Sequence, residues 1–322
     1  MLKNKLASAI VLSSLLVSVL PSTVIAQEKE EIVVTSPGGK KSVTVEDNST
    51  QSSNQMMILF MERLKSGNVK EARDTAKAMI RDVDLYEDSK NTDYKTFYSE
   101  MEKELYVMKN QKDLVGKKLE WLEKPFADGY YFLSVLDFQE KKYSSALENM
   151  SKCIYWNPVH SPYYCERGFM LLNAGEQTNV LDALIAYEKA LELADNEEDF
   201  AAALRGLAFV NVSRGRFDVA MACLVLSKEY DNERPDADEE ILEIKSVVPV
   251  FTDDFTAKEA RQILKENGIQ TTYSQEHSKV LVSIASTLTK PEEKEDAMML
   301  LERALYLDPT NTEAAKKMKS FQ

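Results

Sequence analysis

The chain has 322 residues, 44% of them hydrophobic, and a formal net charge of −13. This apolar content is sufficient for a large buried core, whereas the negative charge argues against binding to nucleic acid or to anionic lipid, both of which repel an acidic surface. The 10 glycines and 9 prolines are too few for a turn-rich β-sandwich, so the composition favours a mostly α-helical protein.

Residues 1–26 have the pattern of a secretory signal peptide. Two lysines come first, an apolar run follows over residues 6–20, and Val24 and Ala26 are the small residues at the −3 and −1 positions of a cleavage site. The apolar run is shorter than the roughly 20 residues that span a bilayer. We therefore expect a periplasmic or secreted protein, cleaved after Ala26 and without membrane insertion of the mature chain. An uncleaved membrane anchor is the alternative.

Residues 27–52 are too polar to form a core of their own. The larger apolar residues near this stretch are Ile32, Val33, Val34, Val43 and Val45. We predict a flexible N-terminal segment with two strand-like patches.

Helical periodicity begins near Met56, and its spacing is clearest over residues 127–158. The fourth, seventh, eighth, seventeenth, twentieth, twenty-fourth, twenty-seventh and thirty-second places of that segment hold Tyr130, Leu133, Ser134, Tyr143, Ala146, Met150, Cys153 and Pro158. This spacing resembles the tetratricopeptide repeat (TPR), a helix-turn-helix unit of about 34 residues. Small residues are needed where the two helices cross closely, and proline ends the second helix.

The same spacing recurs along the chain, once with three extra residues in the turn near Glu176 to Val180. We predict divergent TPR-like hairpins over 53–126, three core repeats over 127–234, a divergent helical insert or degenerate repeat over 235–277, a C-terminal repeat over 278–311 and a tail over 312–322. Two stretches fit less well. In the first, residues 93–125, the second predicted helix contains Gly116, Leu119 and Leu122. In the second, residues 234–277, the series Thr256 to Glu259 has the form of a capping box and Gly268 that of a helix stop.

The resemblance implies an all-α fold, a TPR-type α-solenoid in which stacked hairpins leave a concave groove lined by their first helices. Such proteins bind other proteins or peptides on that surface. The groove-facing places of the three core repeats include Tyr131, Phe138, Phe169, Arg205 and Phe209. We predict that these residues bind an apolar peptide or a partner helix. The alternative is that they pack against added helices such as residues 237–248.

Family members that clamp a C-terminal carboxylate carry lysine, arginine and asparagine in the groove. At the corresponding places here, only Arg205 and Asn173 could serve in this way. The sequence therefore gives little support for carboxylate binding.

The three cysteines do not form an obvious framework. Cys153 and Cys165 lie on either side of a predicted inter-repeat loop, so a disulfide and a role as small core residues are both possible, with the core role favoured. Cys223 is expected to be a buried free thiol.

The sequence contains no catalytic or metal-binding motif of a familiar kind. His160 falls in an inter-repeat loop and His277 at a helix start, and neither has an acidic or thiol partner at a recognisable spacing. Both are expected to be surface residues rather than ligands. We therefore predict no enzyme, no cofactor and no metal site.

A short β-type stretch follows the signal peptide and resembles the TonB box of outer-membrane receptors. The residues that carry this resemblance are Glu31, Ile32, Val33, Val34 and Thr35. An extended, β-branched segment of this kind can add as a strand to the sheet edge of a partner. Two functions follow as hypotheses: an exported scaffold that binds proteins through its groove, or an adaptor whose N-terminal segment engages TonB while its repeats hold an envelope complex.

Overall fold

The computed structural model of the chain describes residues 33–36, 39–42, 48–86, 90–174, 179–231, 236–247 and 255–321. Within these ranges the chain is mainly helical, and most helices form antiparallel pairs that pack side by side. The predicted all-α solenoid of stacked hairpins is therefore confirmed. The signal peptide prediction, together with Glu31 and Ile32, lies outside the described residues.

The helices lie along the chain in the following order. They are α1 (Asn48–Lys65), α2 (Val69–Met79), α3 (Glu100–Lys109), α4 (Phe126–Gln139), α5 (Tyr143–Trp156), α6 (Ser161–Asn173), α7 (Asn179–Leu193), α8 (Glu197–Ser213), α9 (Phe217–Tyr230), α10 (Asp236–Val247), α11 (Ala257–Glu266), α12 (Gln275–Thr287), α13 (Lys294–Leu307) and α14 (Thr312–Phe321). The pairs α1/α2, α4/α5, α6/α7, α8/α9 and α12/α13 pack as hairpins. These pairs coincide with the segments in which the repeat spacing occurs.

Three of these hairpins turn in the same way. The connections over residues 66–68, 140–142 and 214–216 each place their middle residue in the left-handed region, with φ of 78° at Gly67, 59° at Lys141 and 74° at Gly215. Glycine adopts this conformation without steric cost, whereas a lysine does so only under strain. The repeat therefore imposes its turn on Lys141.

Neighbouring hairpins approach closely at glycines in the first helices. A β-carbon on Gly129 would lie 2.6 Å from Ile80, at the end of α2, so α4 packs against the preceding hairpin there. The ring of Tyr187 on α7 lies against both Gly168 on α6 and Gly206 on α8. Tyr187 thus fills the space between two consecutive first helices.

The structure corrects the predicted degenerate repeat over residues 93–125. Its first helix is present as α3, but the second half forms the strand β4 (Lys118–Trp121), which pairs in parallel with β3 (Thr92–Lys95). Gly116, with φ of 78°, ends the turn that follows α3. Pairing of Lys118 N with Asn91 O at 2.7 Å and of Leu122 N with Lys95 O at 2.8 Å then satisfies backbone groups that a helix would have paired internally.

The β3–α3–β4 unit packs near the loops that join successive hairpins. Its Phe97, Leu105 and Tyr106 share a small core with Val159, Leu193 and Val280, which come from the α5–α6 loop, α7 and α12. Lys109 at the end of α3 forms ion pairs with Glu192 and Glu276. This unit therefore connects the middle hairpins to the C-terminal hairpin.

Two further helices pack against the third core hairpin. Both α10 and α11 contact α9, the second helix of that hairpin. The predicted capping box is confirmed, since the Thr256 side chain accepts from Glu259 N and the Glu259 side chain accepts from Thr256 N. The predicted stop at Gly268 is confirmed as well, with φ of 70°.

At the N-terminus, two short strands form an antiparallel pair. The strand β1 (Val33–Ser36) pairs with β2 (Gly39–Ser42), with Val33 opposite Ser42. The second strand begins earlier than the predicted patch around Val43 and Val45. None of the helices in the described ranges is both long and apolar enough to cross a bilayer.

Candidate protein-binding groove

The predicted groove residues lie on the first helices α4, α6 and α8, but they differ in exposure. Phe138, Phe169 and Phe209 are half-buried, and the first two lie side by side, with ring centroids 5.5 Å apart. Tyr131 is only 2% exposed, and Arg205 only 7%. The structure therefore brings Phe138 of α4 into contact with Phe169 of α6. Tyr131 and Arg205, by contrast, are buried.

The alternative prediction is that these residues pack against added helices such as residues 237–248. That segment is almost entirely helix α10, which packs mainly against α9, the second helix of its hairpin. The groove residues lie on the first helices instead. Arg205 is nevertheless engaged within its own hairpin, since its Nη1 lies 3.4 Å from Asp231 Oδ2 at the end of α9. Its charge is thus compensated by the protein itself.

Tyr131 is held by aromatic neighbours. Its ring centroid lies 5.7 Å from that of Phe132 and 5.7 Å from that of Tyr163, which begins the next first helix. Its hydroxyl is buried and has no hydrogen-bond partner among the described residues. A buried hydroxyl without a hydrogen-bond partner lowers the stability of the fold.

Glu166 belongs to the same part of the groove, although the sequence did not single it out. On α6, Glu166 lies near a tyrosine of each flanking element: burial chiefly raises the pKa of Tyr131 on α4 and of Tyr187 on α7, and the charge of Glu166 raises both further. Residues three apart adjoin on a helix surface, so Glu166 borders Phe169. The groove surface, as the term is used below, comprises Tyr131, Phe138, Glu166, Phe169, Arg205 and Phe209.

Burial controls the electrostatics of this surface. Glu166 is 6% exposed, and its Oε2 has no hydrogen-bond partner among the described residues. Burial raises the pKa of Glu166 to about 8. Burial likewise raises the pKa of Asp199, at the start of α8, to about 6.

A segment outside the core repeats contacts the starts of α4 and α6. Tyr98, in the connection between β3 and α3, donates from its hydroxyl to Asp128 Oδ1 at 2.5 Å, and the same hydroxyl contacts that of Tyr163. Its ring also packs edge-on against the ring of His160, with centroids 4.7 Å apart. Because Tyr98 is far from these residues in sequence, no local pattern could have identified its role.

His160 is not the surface residue that the sequence predicted. Its Nδ1 lies 2.8 Å from Glu102 Oε1, and Asn157 donates to Glu102 Oε2 at 2.8 Å. Burial would lower the pKa of His160, but the hydrogen bond and charge of Glu102 raise it above its usual value. Burial would raise the pKa of Glu102, and the bond from His160 lowers it. This pair anchors α3 to the α5–α6 loop.

His277 also departs from the predicted surface location. It is 1% exposed at the start of α12, and neither ring nitrogen has a hydrogen-bond partner among the described residues. Burial lowers its pKa below the usual value. His277 therefore packs as a neutral side chain.

The cysteines carry free thiols. Cys153 and Cys223 are buried and Cys165 is half-buried, and none forms a disulfide. Burial raises the pKa of the Cys153 and Cys165 thiols, which disfavours the reactive thiolate. In the described ranges, no three His, Cys, Asp or Glu side chains are placed to hold a metal ion.

No family model matches the chain, and no curated protein matches it. A solved structure of Pseudomonas aeruginosa pilF is similar over 85% of this chain and 100% of that chain, with 13% identity and a TM-score of 0.45. A tetratricopeptide repeat protein from Parabacteroides merdae ATCC 43184 is similar over 84% of this chain and 99% of that chain, with 14% identity and a TM-score of 0.35.

Proposed function

We propose that this chain is an exported, non-catalytic scaffold that holds an apolar segment of a partner protein against the groove surface. The observation that carries this proposal is the pair formed by Phe138 and Phe169, with ring centroids 5.5 Å apart and both rings half-buried, followed by the half-buried Phe209 on the next first helix. Aromatic side chains in a row across three helices offer apolar contact area to a peptide or a helix.

Substitution of two of these phenylalanines by aspartate tests the proposal. Phe169→Asp with Phe209→Asp places two charges where a partner would bury apolar surface, so the affinity for a groove partner should fall at least tenfold. The matched control is Leu181→Asp with Ile185→Asp, which changes two apolar residues of α7 that are 59% and 62% exposed. Both variants are first checked for unaltered circular dichroism.

The measurement is a quantitative pull-down from an envelope extract. Proteins that are retained by the wild type and by the α7 variant, but lost by the groove variant, support a groove partner. Equal retention by all three folded proteins would refute the groove as the binding surface.

The proposal of export rests on the pattern of residues 1–26. Expression of the full chain in a Gram-negative bacterium should give a periplasmic product that begins at Gln27. Mass spectrometry of the purified product checks the cleavage site. A cytoplasmic product that still begins at Met1 would contradict export.

A second candidate is an adaptor that engages TonB. The observation that favours it is that Val33, Val34 and Thr35 of the TonB-box-like segment have the extended backbone of strand β1, which is the conformation needed for strand addition. A peptide of residues 28–40 should bind the C-terminal domain of TonB, and a scrambled peptide should not. Absence of binding at millimolar peptide would exclude this adaptor function.

A further inference from the structure

We propose that two copies of this chain pair through the open edge of strand β4. The two strands run antiparallel and are centred on Leu119, so that Lys118 of each copy lies opposite Glu120 of the other. This surface is separate from the groove surface. The inference therefore goes beyond the proposed function and does not depend on it.

The backbone of β4 is paired on one side and open on the other. Lys118 N and Leu122 N donate to backbone carbonyls of the β3 segment, at 2.7 and 2.8 Å. Successive residues of a strand direct their N–H and C=O groups to opposite sides, so those of Leu119 and Trp121 point away from β3. Among the described strands, β3 is the only one beside β4. The outer side of β4 is thus a sheet edge that can accept a further strand.

Of the two edges of this sheet, that of β4 is the accessible one. The β3 side lies against α5, where Thr96 N donates to Trp156 O at 2.9 Å. On the β4 side, Trp121 is 38% exposed and the side chain of Lys118 is 72% exposed. The Trp121 Nε1 donates to Phe97 O at 3.1 Å, which fixes the strand in place. A two-stranded sheet is marginally stable alone, so an added strand is favourable.

The charges of β4 fit a second copy of the same strand in one register. A two-fold axis pairs outward-pointing residues with each other, so it passes through one of residues 118–121. Centring on residue 118 or 120 places two like charges directly opposite each other, and centring on Trp121 places Lys118 opposite Lys124. Centring on Leu119 instead creates two pairs between Lys118 and Glu120. Opposite charges across strands stabilise a ladder, whereas like charges destabilise it.

The same register satisfies the outward backbone groups. Leu119 exchanges N–H to C=O hydrogen bonds with its own counterpart, and Trp121 N donates to Lys117 O of the other copy. Lys117 N already donates to Leu114 O at 3.0 Å, so its carbonyl is the group that remains for pairing. The side chain of Lys117 then lies opposite the ring of Trp121, where its ammonium group is attracted to the π-face.

The local charge also permits contact between copies. The chain has a net charge of −13, so two copies repel each other over most of their surface. Residues 112–124, however, contain four lysines and three acidic residues and carry no net negative charge. Because the added ladder is short, we expect weak association, with a Kd on the order of 10–100 μM.

The test is sedimentation velocity of the mature chain, residues 27–322, over a series of protein concentrations. The sedimentation coefficient of the wild type should rise with concentration toward that of a dimer. Lys118→Glu and Glu120→Lys should each weaken association on the order of tenfold, because each places like charges opposite each other. The double variant should associate as tightly as the wild type. Lys112→Glu, which makes the same charge change outside the strand, should have no effect.

A backbone variant tests the edge itself. Leu119→Pro removes the outward N–H but none of the bonds to β3, and proline is tolerated at such a position of an edge strand. It should abolish association while the circular dichroism spectrum stays unaltered. The charge variants test the proposal independently if this variant does not fold.

The outcomes are distinct from those for the groove. Phe169→Asp with Phe209→Asp should leave association unchanged, so a failure of either proposal is visible separately. A wild type that stays monomeric at every concentration overturns the proposal. A dimer that is unaffected by the single charge reversals, or is not restored in the double variant, also overturns it, because the copies then pair elsewhere or in another register.

Discussion

The ring of Tyr187 occupies the space in which a β-carbon on Gly206 would lie. An ideal β-carbon at Gly206 would be 2.0 Å from Cε1 of Tyr187, far inside van der Waals contact. The same ring contacts Gly168 on its other side. Stacking of the second and third core hairpins thus depends on the absence of two side chains.

Gly206→Ala should therefore destabilise the protein. Alanine favours a helix over glycine by about 1 kcal/mol, but the buried clash with Tyr187 should outweigh this gain and lower the free energy of unfolding by about 1–3 kcal/mol. Urea denaturation followed by circular dichroism measures the change. In a Tyr187→Ala background, the same substitution should have little cost. Equal costs in the two backgrounds would show that the clash is not the cause.

Lys141→Gly should stabilise the protein. Lys141 has φ of 59° in a turn where the equivalent residues are glycines, and glycine relieves the strain at the expense of a more flexible unfolded chain. We expect a net gain of about 0.5–1 kcal/mol in the free energy of unfolding. Thermal and urea unfolding provide the measurement.

The matched controls for this turn are Lys141→Ala and Gly215→Ala. The first removes the lysine side chain but keeps a β-carbon, so it should bring no gain. The second introduces a β-carbon at a φ of 74° and should destabilise. A gain from Lys141→Ala equal to that from Lys141→Gly would assign the effect to the lysine charge instead.

Glu166→Gln should increase stability at high pH. The folded-state pKa of Glu166 is about 8, above its usual value of 4.5, so ionisation of the unfolded chain weakens the fold progressively as pH rises from about 4.5 to 8. Glutamine does not ionise, so the free energy of unfolding of Glu166→Gln does not fall for this reason. Its advantage over the wild type should grow between pH 5 and pH 8, on the order of 2–4 kcal/mol. Urea unfolding at both pH values measures it, and an advantage independent of pH would contradict the buried carboxyl.

Stability at acid pH should depend on His277. Burial lowers its pKa in the folded state below the usual 6.5, so its contribution is present above pH 6.5 and is lost as pH falls through the folded-state value. His277→Gln should lose less stability than the wild type between pH 7 and pH 5. The neighbouring charges are Asp195, Lys109 and Glu276.

His160 provides a control of opposite sign. Its folded-state pKa is raised despite burial, because Glu102 faces it, so its contribution is present at low pH and is lost as pH rises through that value. His160→Gln should therefore lower stability more at pH 5 than at pH 8. The unfolding temperatures of His277→Gln and His160→Gln, measured from pH 5 to pH 8, should depend on pH in opposite ways relative to the wild type. Parallel curves for the two variants would refute both pKa directions.

The repeated spacing predicted much of the fold because each hairpin is specified locally. Small residues at helix crossings, a left-handed turn residue and apolar stripes recur within about 34 residues, so helix pairs such as α4/α5 and α8/α9 can be located from the sequence alone. The capping box at Thr256 and the stop at Gly268 are likewise local signals.

The strand β4 could not be predicted on the same basis. Leu119 and Leu122 have a spacing that fits a helix, but the backbone of residues 118–121 pairs with residues 92–95, which lie before α3. Such a ladder depends on a partner strand that no local window contains. The pairing of β4 with β3 therefore outweighs the local preference of residues 118–121 for a helix.

The groove residues likewise depend partly on local spacing and partly on packing between hairpins. The spacing located Phe138, Phe169 and Phe209 on the first helices, but depth was decided by packing between hairpins, which buries Tyr131 and pairs Arg205 with Asp231. The roles of Glu166 and Tyr98 were not visible in the sequence, because burial and partners at long range define them.

The helical hairpins and their order could be read from the amino-acid pattern, since hydrophobic periodicity and turn residues act over a few neighbouring positions. Packing between hairpins determines which charges are compensated and which buried polar atoms have no partner among the described residues. Those properties depend on groups that are distant in the chain and meet only when the hairpins stack.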